Sequence, residues 1–262
     1  MNIPFHKYHG TGNDFILVDN RANLFPKAAH KWIAQLCHRN FGIGADGLIL
    51  LEENSPGQFT MVYYNSDGNL SSMCGNGGRC FVAFAKQLGL IQNEIHFDAP
   101  DGAHAAKYTA TGEIALQMKS VFEVDVHPTY VFLNTGSPHH VQVVQNLSAY
   151  PVVQEGAAIR YGELYGAVGS NVNFVEPLSA VLFAVRTYER GVENETLSCG
   201  TGVTAVAIAM HKLQRTAAQT IQLQTPGGLL TVSFVENQGA YEQVCLQGPA
   251  TFVFSGELST PE

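Results

Sequence analysis

The feature that most constrains the fold of this 262-residue chain is an internal repeat with a period of about 125 residues. Short glycine-rich and polar motifs of the first half recur, in the same order, in the second half. The recurring pairs are Thr11-Gly12-Asn13 with Thr135-Gly136-Ser137, Gly44 and Asp46 with Gly169 and Asn171, Cys74-Gly75 with Cys199-Gly200, and Pro100 and Gly102 with Pro226 and Gly228. Because ordered motifs at one spacing indicate duplication, we expect two similar domains, residues 1–125 and 126–262, with a tail that is able to pack back on the first.

Each half combines short segments of β-branched and aromatic residues, which are typical of strands, with a long apolar segment that is typical of a buried helix. Helices are predicted over Pro26–Arg39, Gly77–Leu88 and Gly202–Leu213. The pattern predicts an α+β fold of two pseudo-symmetric domains, each a β-barrel-like sheet around a central helix. We expect the glycine-rich starts of the two central helices to face each other, with a ligand site where the domains meet.

The overall charge argues against two classes of partner. The chain carries a formal net charge of −8 without a cluster of lysines and arginines, which does not suit a nucleic acid or an anionic membrane. No apolar run reaches the length of a membrane span, and the amino terminus lacks the features of a secretory signal. The number of cysteines, five, is odd, which favours free thiols over a disulfide framework. We therefore expect a cytoplasmic protein.

Two of these cysteines occupy nearly identical settings: Cys74 lies in SMCGNGGRC and Cys199 in LSCGTGVTA. A sulfur at the start of a helix meets free backbone N–H groups and the positive end of the helix dipole, which favour the thiolate. Once one sulfur is charged, its field disfavours charge on the other, so that the pair shares a single proton. A thiolate and a thiol on opposite faces of a substrate carbon could remove a proton from one side and return one to the other.

Such a reaction also needs stabilisation of a carbanion. The amides of Gly75, Asn76, Gly200 and Thr201 could bind a substrate carboxylate and stabilise the developing charge. No phosphate-binding or dinucleotide-binding glycine motif is present, so no cofactor is expected. The histidine pairs lack the HExxH context and the companion cysteines of metal sites, and no metal is expected.

Seven motifs together resemble the diaminopimelate epimerase family over residues 8 to about 254: HGTGNDF, RNFGIGADGL, YNSDG, MCGNGGRC, TGSPHHV, YERGVENETLSCGTG and TPGG. The resemblance implies a cofactor-independent isomerase that interconverts LL- and meso-diaminopimelate in lysine and peptidoglycan synthesis. It implies that Cys74 and Cys199 are the catalytic acid–base pair, supported by His139 and Glu189. The residues that it implies for substrate binding are Asn13, Asn65, Gly75, Asn76, Asn171, Glu189, Arg190, Gly200 and Thr201.

Three positions depart from the family pattern. Ser137 stands where many members have asparagine, and Gly47 where some have glutamine. Phe254 stands where some members carry a tyrosine that is linked to dimer formation. These departures leave open how the distal end of the substrate is recognised and whether the chain forms a homodimer.

Two other functions compete with this interpretation. One is a racemase of the same fold that acts on a proline derivative or a basic amino acid. The other is a thiol redox protein, although the chain has no CxxC motif. The remaining cysteines, Cys37, Cys80 and Cys245, lie inside predicted helices or strands, and we expect them to be buried.

Overall fold

The computed structural model describes residues 2–71 and 73–260. By their contacts these residues form two compact units. The first unit runs to Leu116 and resumes at Pro249, and the second is Gln117–Gly248. The repeat predicts a boundary after residue 125 and allows the tail to return to the first half.

Along the chain, the first unit has strands before and after a central helix, and a shorter helix between its second and third strands. Its elements are β1 (Asn2–Gly10), β2 (Asn13–Asp19), α1 (His30–Cys37), β3 (Gly47–Ser55), β4 (Gln58–Asn65), α2 (Gly75–Gln87), β5 (Glu94–Ala99), β6 (Gly102–Tyr108), β7 (Ile114–Gln117), which ends at the boundary, and β17 (Thr251–Ser259).

The second unit has the same plan. Its elements are β8 (Val124–Val126), β9 (Val131–Asn134), β10 (Pro138–Val143), a short 3₁₀ helix (Leu147–Ala149), α3 (Val152–Arg160), β11 (Asn171–Pro177), β12 (Leu182–Glu189), β13 (Asn194–Thr196), α4 (Gly200–Lys212), β14 (Thr220–Thr225), β15 (Gly228–Asn237) and β16 (Ala240–Gly248).

Strand pairing repeats between the units, step by step. In the first unit β17, β1 and β2 pair antiparallel, β2 and β3 parallel, β3 and β4 antiparallel, β4 and β5 parallel, and β5, β6 and β7 antiparallel. In the second unit β8, β9, β10, β11, β12, β14, β15 and β16 pair in the same sequence of directions. The last strand, β17, therefore takes the edge position in the first unit that β8 takes in the second. The repeat in the sequence is a repeat of topology.

The central helix of each unit is enclosed on all its faces. Every residue from Gly75 to Ala85 in α2 is buried, and so is every residue of α4 from Gly200 to Met210 except Thr201. A helix that is buried all round needs small or apolar residues on most of its faces. Helix α4 provides them, whereas α2 also buries two polar side chains, Asn76 and Arg79. The predicted arrangement of a sheet around a central helix is confirmed within each unit.

One predicted helix is shorter than expected, and one helix was not predicted. The segment Pro26–Arg39 was predicted as a helix, but α1 begins only at His30, because residues after Pro26 form a turn in which the Ala29 N–H donates to the Pro26 carbonyl. Helix α3 was not predicted, since Gly156 disfavours a helix interior. A Cβ at Gly156 would lie 2.4 Å from the Cβ of Tyr188, so this glycine permits the close packing of α3 on β12.

Among the described residues, none of the helices has both the length and the apolar character needed to cross a membrane.

A network of ion pairs joins the start of the first sheet to the segment before β3. Lys7 is only 5% exposed and its Nζ lies 2.7 Å from Asp14 Oδ2. Arg39 Nη2 lies 2.9 Å from Asp14 Oδ1 and 2.6 Å from Asp46 Oδ1. Burial alone would raise the pKa of Asp14, but hydrogen bonds from Arg39 and Lys7 lower it to about 2. The folded unit therefore keeps this carboxylate ionised in moderately acidic solution.

We expect Asp14→Asn to lower the free energy of unfolding by about 3 kcal/mol at pH 7, because the buried Lys7 ammonium loses its counter-charge. Asp19→Asn is the matched control: Asp19 pairs with Arg21 at a site where both side chains are about a third exposed, and its loss should cost less than about 1 kcal/mol. Urea unfolding measures both.

The same comparison has a pH dependence. Because the folded pKa of Asp14 lies below its ordinary value of 3.8, its stabilisation is complete above pH 3.8 and is lost as the pH falls through about 2. The difference in the free energy of unfolding between wild type and Asp14→Asn should therefore become smaller below pH 4. Equal losses for the two variants, or a difference that persists undiminished in acid, would contradict this role of Asp14.

Candidate active site

Cys74 and Cys199 are the N-cap residues of the two enclosed helices, α2 and α4. The first bonds back to the cap are donated by the Gly78 N–H to the Cys74 carbonyl, at 2.7 Å, and by the Val203 N–H to the Cys199 carbonyl, at 2.9 Å. The amides between each cysteine and these donors precede the helical hydrogen-bond ladder and have no acceptor within the helix. Each sulfur therefore stands beside a group of amides at the positive end of a helix dipole.

In the first unit, strand register brings several predicted residues to one end of the sheet. Asn13 begins β2, Asn65 ends β4, and the register places Gly47 opposite Asn65. Cys74 belongs to the same end, since its Sγ lies 3.6 Å from Asn13 Oδ1. The side chain of Asn76 also reaches Asn13, with Nδ2 at 3.3 Å from the same oxygen. Asn65 itself is exposed, and a side chain at Gly47 would meet the ring of Tyr63 at 2.4 Å.

In the second unit, the corresponding sheet end carries the residues around Cys199. Cys199 Sγ lies 3.6 Å from Thr201 Oγ1, which lies 3.2 Å from Ser137 Oγ. Ser137 Oγ in turn lies 3.2 Å from His139 Nε2 and 3.2 Å from Asn171 Nδ2. A continuous path of polar contacts therefore leads from the sulfur to a histidine and an amide.

His139 is completely buried and uncharged. Burial, together with the positive charge of Arg190, lowers the pKa of His139 to about 3. Its Nδ1 lies 3.1 Å from Asn173 Nδ2, and Asn173 Oδ1 accepts a hydrogen bond from Thr187 Oγ1 at 3.0 Å. The imidazole is thus held at both nitrogens in the interior of the unit.

Glu189 and Arg190 lie at the end of β12. Glu189 Oε2 accepts a hydrogen bond from Thr196 Oγ1 at 3.1 Å, and Arg190 Nη1 donates to the Val168 carbonyl at 3.0 Å. The Arg190 N–H donates to Asn171 Oδ1 at 2.8 Å. The structure therefore brings Asn171 and Arg190 together.

Sequence reasoning missed several residues that organise the site. Asp46 accepts from Asn13 Nδ2 at 2.6 Å, and Asn173 lies against His139. Arg79 is completely buried in α2 and donates to Asn76 Oδ1 at 3.0 Å. Two signals were available: Asp46 is the repeat counterpart of Asn171, and an arginine inside an apolar helix is rarely buried without a polar partner.

The other cysteines differ from this pair. Burial raises the pKa of Cys37 to about 12, and burial also raises the pKa of Cys80. The burial predicted for these two is confirmed, whereas the same prediction for Cys245 was wrong, because that residue is partly exposed on β16. Within the described ranges, no three or more histidine, cysteine or acidic residues are grouped so that they could hold a metal ion.

Comparison with known proteins shows the family of the chain. The family model for diaminopimelate epimerase matches residues 5–122 and 131–253. A diaminopimelate epimerase of Flavobacterium psychrophilum is 58% identical over 252 residues, which cover 96% of this chain and 98% of the relative. The chain belongs to the diaminopimelate epimerase family. A second family member, from Chlorobaculum tepidum, is 38% identical over 258 residues and covers 95% of this chain and 99% of its own length.

Solved structures show the same two-domain α+β fold as this diaminopimelate epimerase family chain. A phenazine biosynthesis protein of the PhzF family from Bacillus anthracis matches with a TM-score of 0.80 at 12% identity, over 99% of this chain and 100% of that one. A hydroxyproline epimerase from Agrobacterium vitis matches with a TM-score of 0.71 at 15% identity, over 98% of this chain and 92% of that one. At these identities the likeness concerns the fold alone.

Close packing at the start of α4 yields a stability prediction. A Cβ at Gly202 would lie 2.4 Å from Asn173 Oδ1 and 3.2 Å from Cys199 Cβ. Gly202→Ala should therefore push Asn173 from His139 and lower the free energy of unfolding by about 1–3 kcal/mol. Gly57→Asn is the control: Gly57 has φ +80° and no neighbour within 4 Å, and asparagine tolerates that conformation. Equal destabilisation in chemical unfolding would contradict the proposed packing constraint.

Proposed function

We propose that the chain catalyses the cofactor-independent epimerisation of LL-diaminopimelate to meso-diaminopimelate, with Cys74 and Cys199 as the acid and the base. Membership of the family makes the chain an isomerase of the epimerase class, with a small-molecule substrate, in lysine biosynthesis. The observation that carries the proposal is the pair of cysteines at equivalent N-cap positions of two duplicated helices.

The chemistry follows from these positions. One sulfur, as thiolate, removes the α-proton from one face of the substrate carbon, and the other, as thiol, delivers a proton to the opposite face. General acid–base catalysis of this kind contributes about 10² to 10⁴ in rate. The reaction requires that both sulfurs reach the same α-carbon.

The reacting carboxylate is assigned to the amides at the helix starts. The N–H groups of Gly75, Asn76, Gly200 and Thr201 precede the helical ladder, so they are oriented donors for an anion. Negative charge develops on this carboxylate as the α-proton leaves, and donors that are already oriented stabilise it without reorganisation.

The remaining predicted residues divide into two groups. We assign the distal ammonium and carboxylate to Asn65, Glu189 and Arg190, because glutamate accepts from an ammonium and arginine binds a carboxylate with two parallel donors. Asn13 and Asn171 hold hydrogen bonds within the site, and Asn171 is engaged by Ser137, Pro138 and Arg190. Their proposed contribution to binding is therefore to shape the site around the substrate.

The supporting roles of His139 and Glu189 are proposed in the same way. His139 contacts Ser137, which leads through Thr201 to Cys199. Glu189 is the last residue of β12. The residue after it, Arg190, is held by a hydrogen bond from its N–H to Asn171. We propose that His139 acts on the sulfur through this path and that Glu189 acts on the substrate ammonium.

No specific observation favours the two competing functions. The relative that is 58% identical over nearly the full chain is named a diaminopimelate epimerase, whereas the hydroxyproline epimerase shares the fold at 15% identity. A redox role has no CxxC motif to support it. No disulfide joins the described cysteines, which suits a reducing compartment, and we propose a cytoplasmic location.

We expect Cys74→Ser and Cys199→Ser each to lower kcat for diaminopimelate epimerisation by at least about 10³-fold, because each removes one of the two proton-transfer groups. Chiral chromatography of LL- and meso-isomers measures the rates. Cys245→Ser is the matched control, since Cys245 lies on β16 outside the site, and it should retain nearly full activity. If either of the first two variants kept a tenth of the wild-type rate, the two-cysteine mechanism would be wrong.

We also propose that the chain forms a homodimer through strand β17. Phe252, Val253 and Phe254 are 43%, 51% and 44% exposed, and consecutive exposed apolar residues mark interaction surfaces. Phe254→Lys should convert a dimer to a monomer in sedimentation velocity. Phe122→Lys is the control, because Phe122 is also exposed but lies outside β17. A wild-type monomer, or a dimer that survives the Phe254 substitution, would refute this interface.

A further inference from the structure

The hydrogen bonds beside the two cysteines have a fixed direction, and the direction differs between the units. In the first unit Asn13, the first residue of β2, contacts both the start of α2 and Asp46. In the second unit Ser137, the residue before β10, contacts both the start of α4 and Asn171. Several contacts end on groups that only donate or only accept. These groups fix which atom donates at each of the other contacts. The direction at the last contact decides whether a sulfur is offered a hydrogen or an oxygen lone pair.

In the second unit the direction starts at Asn173. Its Nδ2 lies 3.0 Å from the backbone carbonyl of His140, which can only accept. The same NH₂ group therefore donates to His139 Nδ1 at 3.1 Å. Because a nitrogen that accepts carries no proton, the neutral imidazole has its proton on Nε2. His139 consequently donates to Ser137 Oγ, at 3.2 Å.

Asn171 fixes the next contact. Its Nδ2 lies 3.3 Å from the Pro138 carbonyl, which only accepts, and its Oδ1 lies 2.8 Å from the Arg190 N–H, which only donates. The amide orientation is therefore determined at both ends, and Nδ2 donates to Ser137 Oγ at 3.2 Å. With two donors directed at its oxygen, the Ser137 hydroxyl gives its own proton to Thr201 Oγ1, 3.2 Å away.

The last contact of this path reaches Cys199. Thr201 Oγ1 accepts from Ser137, so its hydroxyl proton is available to Cys199 Sγ at 3.6 Å. A hydrogen bond donated to a sulfur favours its charged form. The path from Asn173 through His139, Ser137 and Thr201 thus ends on a donor that stabilises a thiolate.

In the first unit the direction is reversed. Asn13 Nδ2 lies 2.6 Å from Asp46 Oδ2, and a carboxylate only accepts. Arg79 Nη2, which only donates, lies 3.0 Å from Asn76 Oδ1, so Asn76 Nδ2 donates to Asn13 Oδ1 at 3.3 Å. Both constraints turn Asn13 Oδ1 toward Cys74 Sγ, 3.6 Å away. An oxygen that accepts from the sulfur favours the thiol.

The reversal follows from differences between repeat-equivalent residues. Asp46 is the counterpart of Asn171, and Asn13 is the counterpart of Ser137. Asp46 accepts from its neighbour, whereas Asn171 donates to its neighbour. A duplicated scaffold has therefore acquired opposite hydrogen-bond directions at its two sulfurs.

Resting on the function proposed above, we infer that in the ligand-free protein Cys199 is the thiolate and Cys74 is the thiol. Cys199 then removes the α-proton of the stereoisomer that presents it, the C–H electron pair stays with the substrate as the carbanion, and the Cys74 S–H proton is delivered to the opposite face. The turnover leaves Cys199 as thiol and Cys74 as thiolate, and one proton returns between them through solvent. Thr201, Ser137 and Asp46 are positioning residues in this scheme.

Charges in the same units act alongside these contacts. The positive charge of buried Arg79 interacts with Cys74 and favours its ionised form, which opposes the contact from Asn13. In the second unit, two adjacent residues at the end of β12 carry opposite charges, Glu189 and Arg190. The contact with Asn13 thus favours the thiol of Cys74, whereas the charge of Arg79 favours its thiolate. The chemical reactivity of the sulfurs shows which of the two effects is larger.

The test is the rate of alkylation of each cysteine by iodoacetamide in the ligand-free protein, followed by peptide mass spectrometry from pH 5 to pH 9. Only thiolates react. At pH 6 we expect Cys199 to react at least about tenfold faster than Cys74, with partly exposed Cys245 as an internal reference. Accessibility alone predicts the reverse order, since Cys199 is only 7% exposed and Cys74 is less buried. Equal rates, or a faster Cys74, would overturn the inference.

Variants test the paths themselves. Thr201→Val removes the donated hydrogen and should slow Cys199 at pH 6 about tenfold, shifting its pH profile upward, whereas Thr201→Ser keeps the hydroxyl and should preserve the wild-type profile. If Thr201→Val does not fold, Ser137→Ala replaces it and should slow Cys199 severalfold. An unchanged Cys199 profile in the folded variant would refute the path in the second unit.

Asp46→Asn tests the first unit. An amide at this position can donate to Asn13, which releases the orientation of Asn13 and should speed the alkylation of Cys74 severalfold at pH 6, with Cys245 unchanged. A Cys74 rate equal to wild type would refute the role of Asp46. Because alkylation needs no turnover, a failure here leaves the epimerase assay as a separate test of the proposed function.

Discussion

The properties of both sulfurs depend on one constraint: each caps a helix that its own sheet encloses from the first turn. Burial of α2 and α4 on every face excludes water from most of each helix, and glycines allow the close approach that this requires. At Gly202 even one added carbon would collide with Asn173. The cap cysteine is thereby placed beside amides that the helix itself cannot satisfy, and this is the electrostatic setting in which a thiolate and a bound carboxylate are both favoured.

Duplication alone would make the two sulfurs alike, yet an inversion needs an acid and a base. We infer that small differences at equivalent positions meet this requirement. Asp46 accepts a hydrogen bond from Asn13, whereas Asn171 donates one to Ser137. Asn13 consequently presents an acceptor to Cys74, and Ser137 orients Thr201 so that it presents a donor to Cys199. The topology, which repeats strand by strand, is left unchanged. We infer that the asymmetry of the proposed reaction resides in the direction of these hydrogen bonds.

The sequence was sufficient to predict the features that depend on local pattern. The repeat, the two central helices and the location of Cys74 and Cys199 near the helix starts follow from glycine spacing and apolar periodicity. Each helix begins two residues earlier than predicted, which makes the cysteines the N-cap residues. Helix α3 escaped prediction because its glycine, Gly156, serves a tertiary contact with Tyr188 that has no local signature.

The site was less predictable than the fold for a physical reason. The roles of Asp46, Asn173 and Arg79 arise from contacts between residues far apart in sequence, and no motif reports which way an amide faces. The resemblance to the family supplied substrate-binding residues, but the structure engages Asn13 and Asn171 in internal hydrogen bonds. Which residues touch the distal end of the substrate stays a prediction from the resemblance.

The central claim is that two different sulfurs handle the two faces of one carbon. Its most direct test is epimerisation of LL-diaminopimelate in deuterated water, with both isomers analysed at early times by mass spectrometry. An inversion by two groups predicts one deuterium at the inverted α-carbon of the meso product, and almost none in the LL-substrate that remains. Meso product without deuterium, or early label of equal extent in both isomers, would contradict it.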